Sequence, residues 1–225
     1  MAAAAQTFLF ADLAGFTALT EVHGDEEAAD LAAEFFMAIR ALLPEYRAVE
    51  IKCIGDAVML RCPDAAGAVM LGLRIVDEVG SRPGVPSVRV GMNTGHAVER
   101  DGDWFGAAVN VAARVSAAAA GGEVLLTEAT RLAAGLLGTV ELVPRGRRAL
   151  KNVAEPVLLY AVVTDGGRSG EALPIDPVCR MAVDPEHSAG ALRYDGARFV
   201  FCSLACAGAF AADPARYAAA ANRRS

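Results

Sequence analysis

The sequence has no uninterrupted apolar run that reaches the roughly 18 residues needed to span a membrane. Its N-terminus, MAAAAQ, also has none of the positive charge that begins a secretory signal peptide. From these two absences we expect a cytoplasmic protein with no membrane partner.

Positive charge is scarce as well. Lysine and arginine total 21 against 27 aspartate and glutamate residues, which gives a net charge of −6. This balance argues against a nucleic-acid partner, because backbone phosphates are neutralised mainly by lysine and arginine. It leaves nucleotides open, since a metal ion and a few local cations can offset a triphosphate.

The chain has only five cysteines, and three of them, Cys179, Cys202 and Cys206, lie after residue 178. Because there is no export signal, a disulfide framework is not expected. The C-terminal group therefore indicates metal binding, with reduced structural thiols and a redox switch as the alternatives.

Strands and amphipathic helices alternate along most of the chain, with an antiparallel hairpin at residues 48–61. This order predicts an α+β fold, a sandwich of the ferredoxin-like kind, over residues 1–163. The Gly-rich polar segment 164–173 is typical of a linker. In this interpretation residues 174–218 form a second, small domain and residues 219–225 a disordered tail.

Two apolar strands of the first domain end close to an aspartate. In FLFADLAG, Asp12 precedes one continuous helical region from Gly15 to Pro44, and in VEIKCIGDAVML, Asp56 lies at the hairpin turn. A carboxylate near a core is costly unless it is paired, solvated or bound to an ion. Side by side, the two aspartates could hold hard cations such as magnesium, although Asp12 alone is equally typical of a helix N-cap.

A second group of polar residues matches a purine nucleotide. Asn110 and Arg114 are four residues apart on a predicted helix, so one face can present an amide to a sugar and a guanidinium to a phosphate. Lys52 and Asp103 offer a donor and an acceptor on separate segments. Adenine has the complementary pattern at N1 and its 6-amino group, whereas guanine reverses both.

Three separated motifs, FADLAGFT, KCIGD and DWFGAAVNVAAR, together resemble the catalytic domain of class III adenylate and guanylate cyclases over roughly residues 6–163. The resemblance implies an adenylate cyclase that converts ATP to 3′,5′-cyclic AMP and pyrophosphate by two-metal-ion phosphoryl transfer. It also implies a homodimer with sites shared between the chains and two Mg²⁺ or Mn²⁺ ions per site. The alternatives are a guanylate cyclase and a catalytically silent nucleotide-binding or metal-sensing regulatory protein.

The family's residue roles carry over to the matching positions of this chain. The family usually has glycine after its phosphate-binding lysine, where this chain has Asn152. The implied roles are metal binding for Asp12, Leu13 and Asp56, adenine selection for Lys52 and Asp103, ribose orientation for Asn110, transition-state stabilisation for Arg114 and phosphate binding for Lys151.

The C-terminal segments DPVCRMAVDP, YDGARFVFCSLAC and FAADPARY resemble a YHS domain over about residues 174–218. Thiolates at Cys179, Cys202 and Cys206 could converge on Zn²⁺ or Cu⁺. A metal would help so small a module to fold, because it has little core of its own. The module is expected to regulate the cyclase.

The fourth ligand of this cysteine group is left open by the sequence. Asp176 and His187 are the candidates within the small domain, and neither is forced. His23, far away in the first domain, is interpreted as an ordinary side chain.

Overall fold

The computed structural model of the protein describes residues 4–138, 140–164 and 173–221. Most of the predicted linker and the end of the predicted tail lie outside these residues. Among the helices that are described, none is both long enough and apolar enough to cross a membrane.

Strands and helices alternate through the first 164 residues, as the sequence predicts. They are, in chain order, β1 (Gln6–Leu13), α1 (Phe16–His23), α2 (Asp25–Leu42), a 3₁₀ turn (Leu43–Tyr46), β2 (Val49–Ile54), β3 (Ala57–Cys62), α3 (Ala65–Arg74) with a π-helical turn (Ile75–Val79), β4 (Val88–Gly95), β5 (Val98–Arg100), β6 (Asp103–Phe105), α4 (Ala107–Ala118), β7 (Val124–Thr127), α5 (Glu128–Ala134), β8 (Val140–Arg148) and β9 (Val157–Thr164). The predicted α+β architecture is confirmed.

A seven-stranded sheet with the order β2-β3-β1-β4-β7-β9-β8 forms the centre of this domain. Its neighbouring strands run antiparallel except β4 and β7, which are parallel. Because side chains alternate along a strand, β1 feeds two cores. Leu9 and Leu13 pack into the core that includes residues of α2 and α3, whereas Phe8 and Phe10 pack with residues of α4. The same alternation puts Asp12 on the α4 face of the sheet.

Helix α4 lies very close to β4. A Cβ atom added at Gly91 would stand 1.9 Å from the backbone nitrogen of Ser116. Only glycine leaves room for this approach, so the position of α4 above the sheet depends on Gly91.

The helical region after β1 is divided at Gly24, so the prediction of one continuous helix is wrong there. Gly24 has φ 90° and ψ 167°, a backbone conformation that residues with a Cβ rarely adopt. Its N–H donates to the carbonyl of Thr20 and ends α1. His23 is therefore the last residue of α1, where the chain turns into α2.

The small C-terminal module consists of a hairpin and two helices. Three phenylalanines form its centre: Phe199, Phe201 and Phe210. The elements are β10 (Gly190–Tyr194), β11 (Ala197–Phe201), α6 (Leu204–Ala212) and α7 (Pro214–Ala221). Helix α7 continues past residue 218, where the sequence interpretation ends the module.

This module packs directly on the first domain. Leu19 and Ala28, from α1 and α2, are buried in the same apolar cluster as Phe201 and Phe210. Backbone bonds add to the contact, because the N–H of Ser87 donates to the carbonyl of Arg180 at 3.0 Å. Side chains of both domains therefore pack together in one apolar core.

Candidate active site and candidate metal centre

Asp12 and Asp56 meet at the end of β1, as the sequence predicts. The antiparallel register pairs Asp12 with Ala57, the residue after Asp56. The two carboxyl groups are neighbours, and Asp56 is half-buried. Burial and the neighbouring Asp12 raise the pKa of Asp56 to about 7. The pair therefore carries more negative charge than its protein surroundings balance.

Arg89 is a residue of this site that the sequence analysis missed. It lies opposite Asp12 in the pairing of β1 with β4, and its Nε is 2.9 Å from Asp12 Oδ2. The detectable signal is a single arginine in the otherwise apolar strand VRVGM. Within the described residues, Arg89 donates hydrogen bonds to Asp12 and not to Asp56, so the donor set still fits a divalent ion with a preference for oxygen ligands.

Leu13 can contribute to such a site only through its backbone. Its side chain is buried in the core on the other face of the sheet. The backbone carbonyl is the remaining donor, and carbonyl oxygens are accepted ligands of hard cations.

Lys52 and Asp103 are brought together as predicted. Lys52 Nζ lies 2.5 Å from Asp103 Oδ2, and this ion pair holds the pKa of Asp103 below its ordinary value. Asp103 Oδ1 accepts a hydrogen bond from the backbone N–H of Trp104 at 2.7 Å. The half-exposed ring of Phe105 lies 5.7 Å from the Lys52 ammonium. A donor and an acceptor are thus held next to an aromatic surface.

Asn110 and Arg114 share a face of α4 but are not brought to the aspartates. Asn110 is exposed and Arg114 is half-buried. In the described part of the chain, neither side chain has a hydrogen bond or an ion pair with Asp12, Asp56 or any other residue. One copy of the chain therefore leaves both groups without a bond to the aspartates.

Lys151 follows the buried Leu150 and is itself exposed. The next residue, Asn152, has φ 61°, which is the left-handed conformation. After glycine, asparagine and a few similar polar residues adopt this conformation most easily. The replacement of the family's usual glycine by Asn152 therefore preserves the turn that presents Lys151.

The three C-terminal cysteines converge on one point. Cys202 Sγ lies 3.4 Å from Cys179 Sγ and 3.7 Å from Cys206 Sγ, so the thiols are free rather than bonded as a disulfide. Contacts with Cys179 and Cys202 lower the pKa of Cys206, and contacts with Cys202 and Cys206 raise the pKa of Cys179.

A histidine completes this group, and it is one that the sequence analysis set aside. His23 Nε2 lies 3.6 Å from the sulfurs of both Cys202 and Cys206. The ligand atoms of His23, Cys179, Cys202 and Cys206 all lie within 4.8 Å of one another, so the group could hold a metal ion.

Neither of the fourth ligands proposed from the sequence belongs to this group. Asp176 is fully buried, and its two carboxylate oxygens accept backbone N–H bonds from Val178 at 2.8 Å and Cys202 at 2.9 Å. His187 is largely exposed and pairs with Asp184. Asp176 therefore shapes the loops that carry the cysteines, and His187 lies at the surface.

Comparison with known proteins identifies the class to which this fold and these residues belong. Residues 3–163 match the family described as the adenylate and guanylate cyclase catalytic domain, and residues 175–221 match the YHS domain. The chain belongs to the class III adenylate/guanylate cyclases and carries a YHS domain after its catalytic domain. Class III cyclases use two divalent metals, which agrees with the donor set at Asp12 and Asp56.

Curated relatives include cyclases of bacterial origin. The pH-sensitive adenylate cyclase MT1302 of Mycobacterium tuberculosis (strain CDC 1551 / Oshkosh) is 40% identical over 169 residues, which are 73% of this chain and 42% of that protein. An adenylate cyclase of Streptomyces griseus is 35% identical over 117 residues, 52% of this chain and 29% of that protein. The chain thus spans less than half the length of these relatives.

Solved structures agree in fold. Adenylate cyclases from Trypanosoma brucei, solved in their monomeric state, match with a TM-score of 0.64 at 26% identity, covering 75% of this chain and 92% of that one. The adenylyl cyclase CyaB from P. aeruginosa matches with a TM-score of 0.62 at 25% identity, covering 74% of this chain and 97% of that one.

Proposed function

We propose that the chain is an adenylate cyclase that converts ATP to 3′,5′-cyclic AMP and pyrophosphate. The observation that carries this proposal is the Lys52–Asp103 pair, which is joined at 2.5 Å beside Phe105. Lysine can donate to adenine N1 and the aspartate can accept from the 6-amino group, whereas guanine would leave both unsatisfied. The 40% identity with a protein named as an adenylate cyclase supports the same substrate.

In the proposed reaction the ribose 3′-oxygen forms a bond to the α-phosphorus. The bond from that phosphorus to the oxygen leading to the β-phosphate breaks, pyrophosphate leaves, and the 3′-hydroxyl proton passes to water. Asp12, Asp56 and the Leu13 carbonyl would hold the Mg²⁺ or Mn²⁺ ions. Such ions lower the pKa of a bound hydroxyl and offset phosphate charge.

The remaining residues position the nucleotide and stabilise the charge that develops. Asn110 would orient the ribose, and Arg114, on the same helix face, would stabilise charge growing on the α-phosphate. Lys151 would bind the outer phosphates. All three side chains are free of hydrogen bonds and ion pairs within the described residues, so no internal contact has to break for them to engage a substrate.

A product assay tests this assignment. The purified chain is incubated with ATP or GTP and Mg²⁺ or Mn²⁺, and the product is identified by mass and chromatography. Cyclic AMP from ATP is the expected result. Cyclic GMP as the main product would support a guanylate cyclase, and no product from either nucleotide would support the silent binding protein.

We further propose a homodimer in which each site uses Asp12 and Asp56 of one chain and Arg114 of the other. Among the described residues Arg114 makes no hydrogen bond or ion pair with either aspartate, which supports this arrangement, and twofold dimers are the commonest assemblies. Asp12→Ala and Arg114→Ala chains are each expected to be inactive. Mixed in equal amounts, they should recover roughly a quarter of the wild-type rate, because half of the dimers then hold one intact site of two. Mixed dimers that form without recovering activity would exclude shared sites.

The YHS module is the second candidate for a role, as a regulator of the cyclase. Arg180 of the module packs against the turn that follows Asp12, where a Cβ added at Gly15 would lie 2.5 Å from Arg180 Cγ. We propose that the state of the module is transmitted through this contact. The rate of cyclic AMP formation by the full chain is measured with the YHS module metal-loaded and metal-free. Equal rates would contradict this role.

A further inference from the structure

Four of the six separations within the cysteine and histidine cluster are close to those of a tetrahedral zinc site. With Zn–S bonds of about 2.3 Å and Zn–N bonds of about 2.0 Å, tetrahedral geometry places two sulfurs about 3.8 Å apart and a sulfur and a nitrogen about 3.5 Å apart. Cys202 Sγ lies 3.4 Å from Cys179 Sγ and 3.7 Å from Cys206 Sγ, and His23 Nε2 lies 3.6 Å from the sulfurs of both Cys202 and Cys206. The two remaining separations, from Cys179 Sγ to Cys206 Sγ and to His23 Nε2, are within 4.8 Å.

The surroundings hold His23 in the orientation that a ligand requires. Its Nδ1 lies 3.0 Å from Glu27 Oε1, one turn further along the chain, which leaves Nε2 directed at the sulfurs. A carboxylate on the second ring nitrogen fixes the tautomer and increases the basicity of the ligating nitrogen. The His23 side chain is only 9% exposed and lies beneath the module, whereas Glu27 is 55% exposed and reaches Nδ1 from the surface.

The cysteine side of the site is equally prepared. Asp176 accepts N–H bonds from the backbone of both Cys179 and Cys202, so its buried carboxylate ties together the two loops that carry them. Cys206 lies on α6, whose N-terminus is capped by Ser203. Cys179 and Cys206 are fully buried, which closes the site to solvent on that side.

We propose that His23 of the catalytic domain and Cys179, Cys202 and Cys206 of the YHS module together bind one Zn²⁺ ion, which joins the two domains. Four filled positions characterise a structural zinc site, whereas a catalytic one keeps a position for water or substrate. The ligand that completes the set comes from the cyclase domain. The inference does not rest on the proposed cyclase activity, because it concerns metal binding and domain contact alone.

Cobalt and zinc titration of the full chain tests the site. Co²⁺ added to the reduced, metal-free protein should give the intense visible bands of tetrahedral coordination and thiolate charge-transfer absorption, saturating at one ion per chain. Zn²⁺ should displace it. Because loss of a second-shell partner alone weakens metal affinity by about 10–100-fold, His23→Ala should weaken zinc binding by at least about 100-fold. His187→Ala, at an exposed histidine of the YHS module, is the control and should bind zinc like the wild type.

Two further variants keep the test decisive if His23→Ala misfolds, which circular dichroism would reveal. His23→Cys supplies a fourth thiolate and should restore tight binding, with stronger charge-transfer absorption in the cobalt form. Glu27→Gln should fold normally and weaken zinc binding by about 10–100-fold. Unchanged affinity in both His23→Ala and Glu27→Gln would remove His23 from the site. No zinc binding by the wild type, or binding of Cu⁺ without Zn²⁺, would overturn the proposal.

A readout of domain contact accompanies the binding data. Zinc should slow hydrogen exchange of the α1 amides in the wild type, because the ion ties the end of α1 to the module. In His23→Ala this protection should be lost even at saturating zinc. Protection of α6 without protection of α1 in the wild type would show a site confined to the module and would contradict the inference.

Discussion

The carboxylate pair of the catalytic domain and the cysteine–histidine cluster beneath the YHS module offer metal ions different ligand atoms. The first has two oxygen-bearing side chains, Asp12 and Asp56, and one competing cation. The second has four converging ligands, three of them sulfur. Hard oxygen donors with positions left over are suited to ions that handle phosphates, whereas a complete set of soft donors is suited to an ion that holds structure. If both proposals hold, the first site is completed by the nucleotide and the second by contact between the two domains.

The sharpest way to separate the two sites is to disable the first alone. Asp56→Asn should lower cyclic AMP formation by about 10²–10³-fold, since the neutral amide cannot offset a divalent ion as a carboxylate does. Zinc affinity should not change. Asp101→Asn, in an exposed loop where asparagine suits the positive φ of 53°, is the control. Retained activity in Asp56→Asn would remove this residue from catalysis.

Disabling the second site alone gives the complementary result. Cys206→Ser should weaken zinc binding by about 100-fold or more, and should remove the stabilisation that zinc gives the wild type. At a thousandfold excess over Kd, that stabilisation is about 4 kcal/mol. Thermal unfolding with and without zinc measures it, and Cys53→Ser, an exposed cysteine in β2, is the control. An equal zinc-induced rise in Tm for Cys206→Ser would contradict the closed site.

The nucleotide preference offers a smaller effect within the first site. Lys52→Ala should lower the ratio of kcat/KM for ATP over GTP by about 10–100-fold, because a specific donor to adenine is lost while the penalty against guanine falls. Arg193→Ala, at an exposed position of β10 in the YHS module, should leave the ratio unchanged. Equal losses for both nucleotides would mean that Lys52 does not select the base.

The smallest effect expected is a dependence of stability on pH in the absence of divalent ions. The pKa of Asp56 is raised from 3.8 to about 7, so the folded state holds this proton more tightly than the unfolded state. The stabilisation of the folded state by this proton is fully present below about pH 4 and is lost as pH rises through 7. The Tm of the chelated protein should therefore fall between pH 5 and pH 8, less so in Asp56→Asn, and Mg²⁺ should restore more of it at pH 8. Identical pH profiles for both proteins would contradict the shift.

Local patterns were sufficient to predict much of the fold and part of the site. The hairpin of β2 and β3 and the meeting of Asp12 with Asp56 follow from apolar strands interrupted by glycine. Lys52 and Asp103 were predicted to read adenine together. The structure joins them in an ion pair, and their adenine role stays a prediction. The roles of Asn110, Arg114 and Lys151 stay predictions, because within one chain they contact nothing that reveals them.

The residues that were missed depend on contacts between distant segments. Arg89 becomes part of the site through the register of β1 with β4, which a single strand does not reveal. His23 lies 179 positions before Cys202, and it reaches the cysteines only because Gly24 ends α1 and the module docks there. The available signal was weak: a histidine at the end of an amphipathic helix, four residues before Glu27.

The absent side chain at Gly91 has a consequence for the reach of α4. With backbone almost touching backbone beneath Ser116, the helix rests as low on the sheet as atoms permit. Asn110 and Arg114 lie on this helix, so their distance from the sheet is set by Gly91, a strand residue that is not part of the proposed site. A single methyl group at position 91 would push α4 away from the sheet and so move the Asn110 and Arg114 side chains outward together.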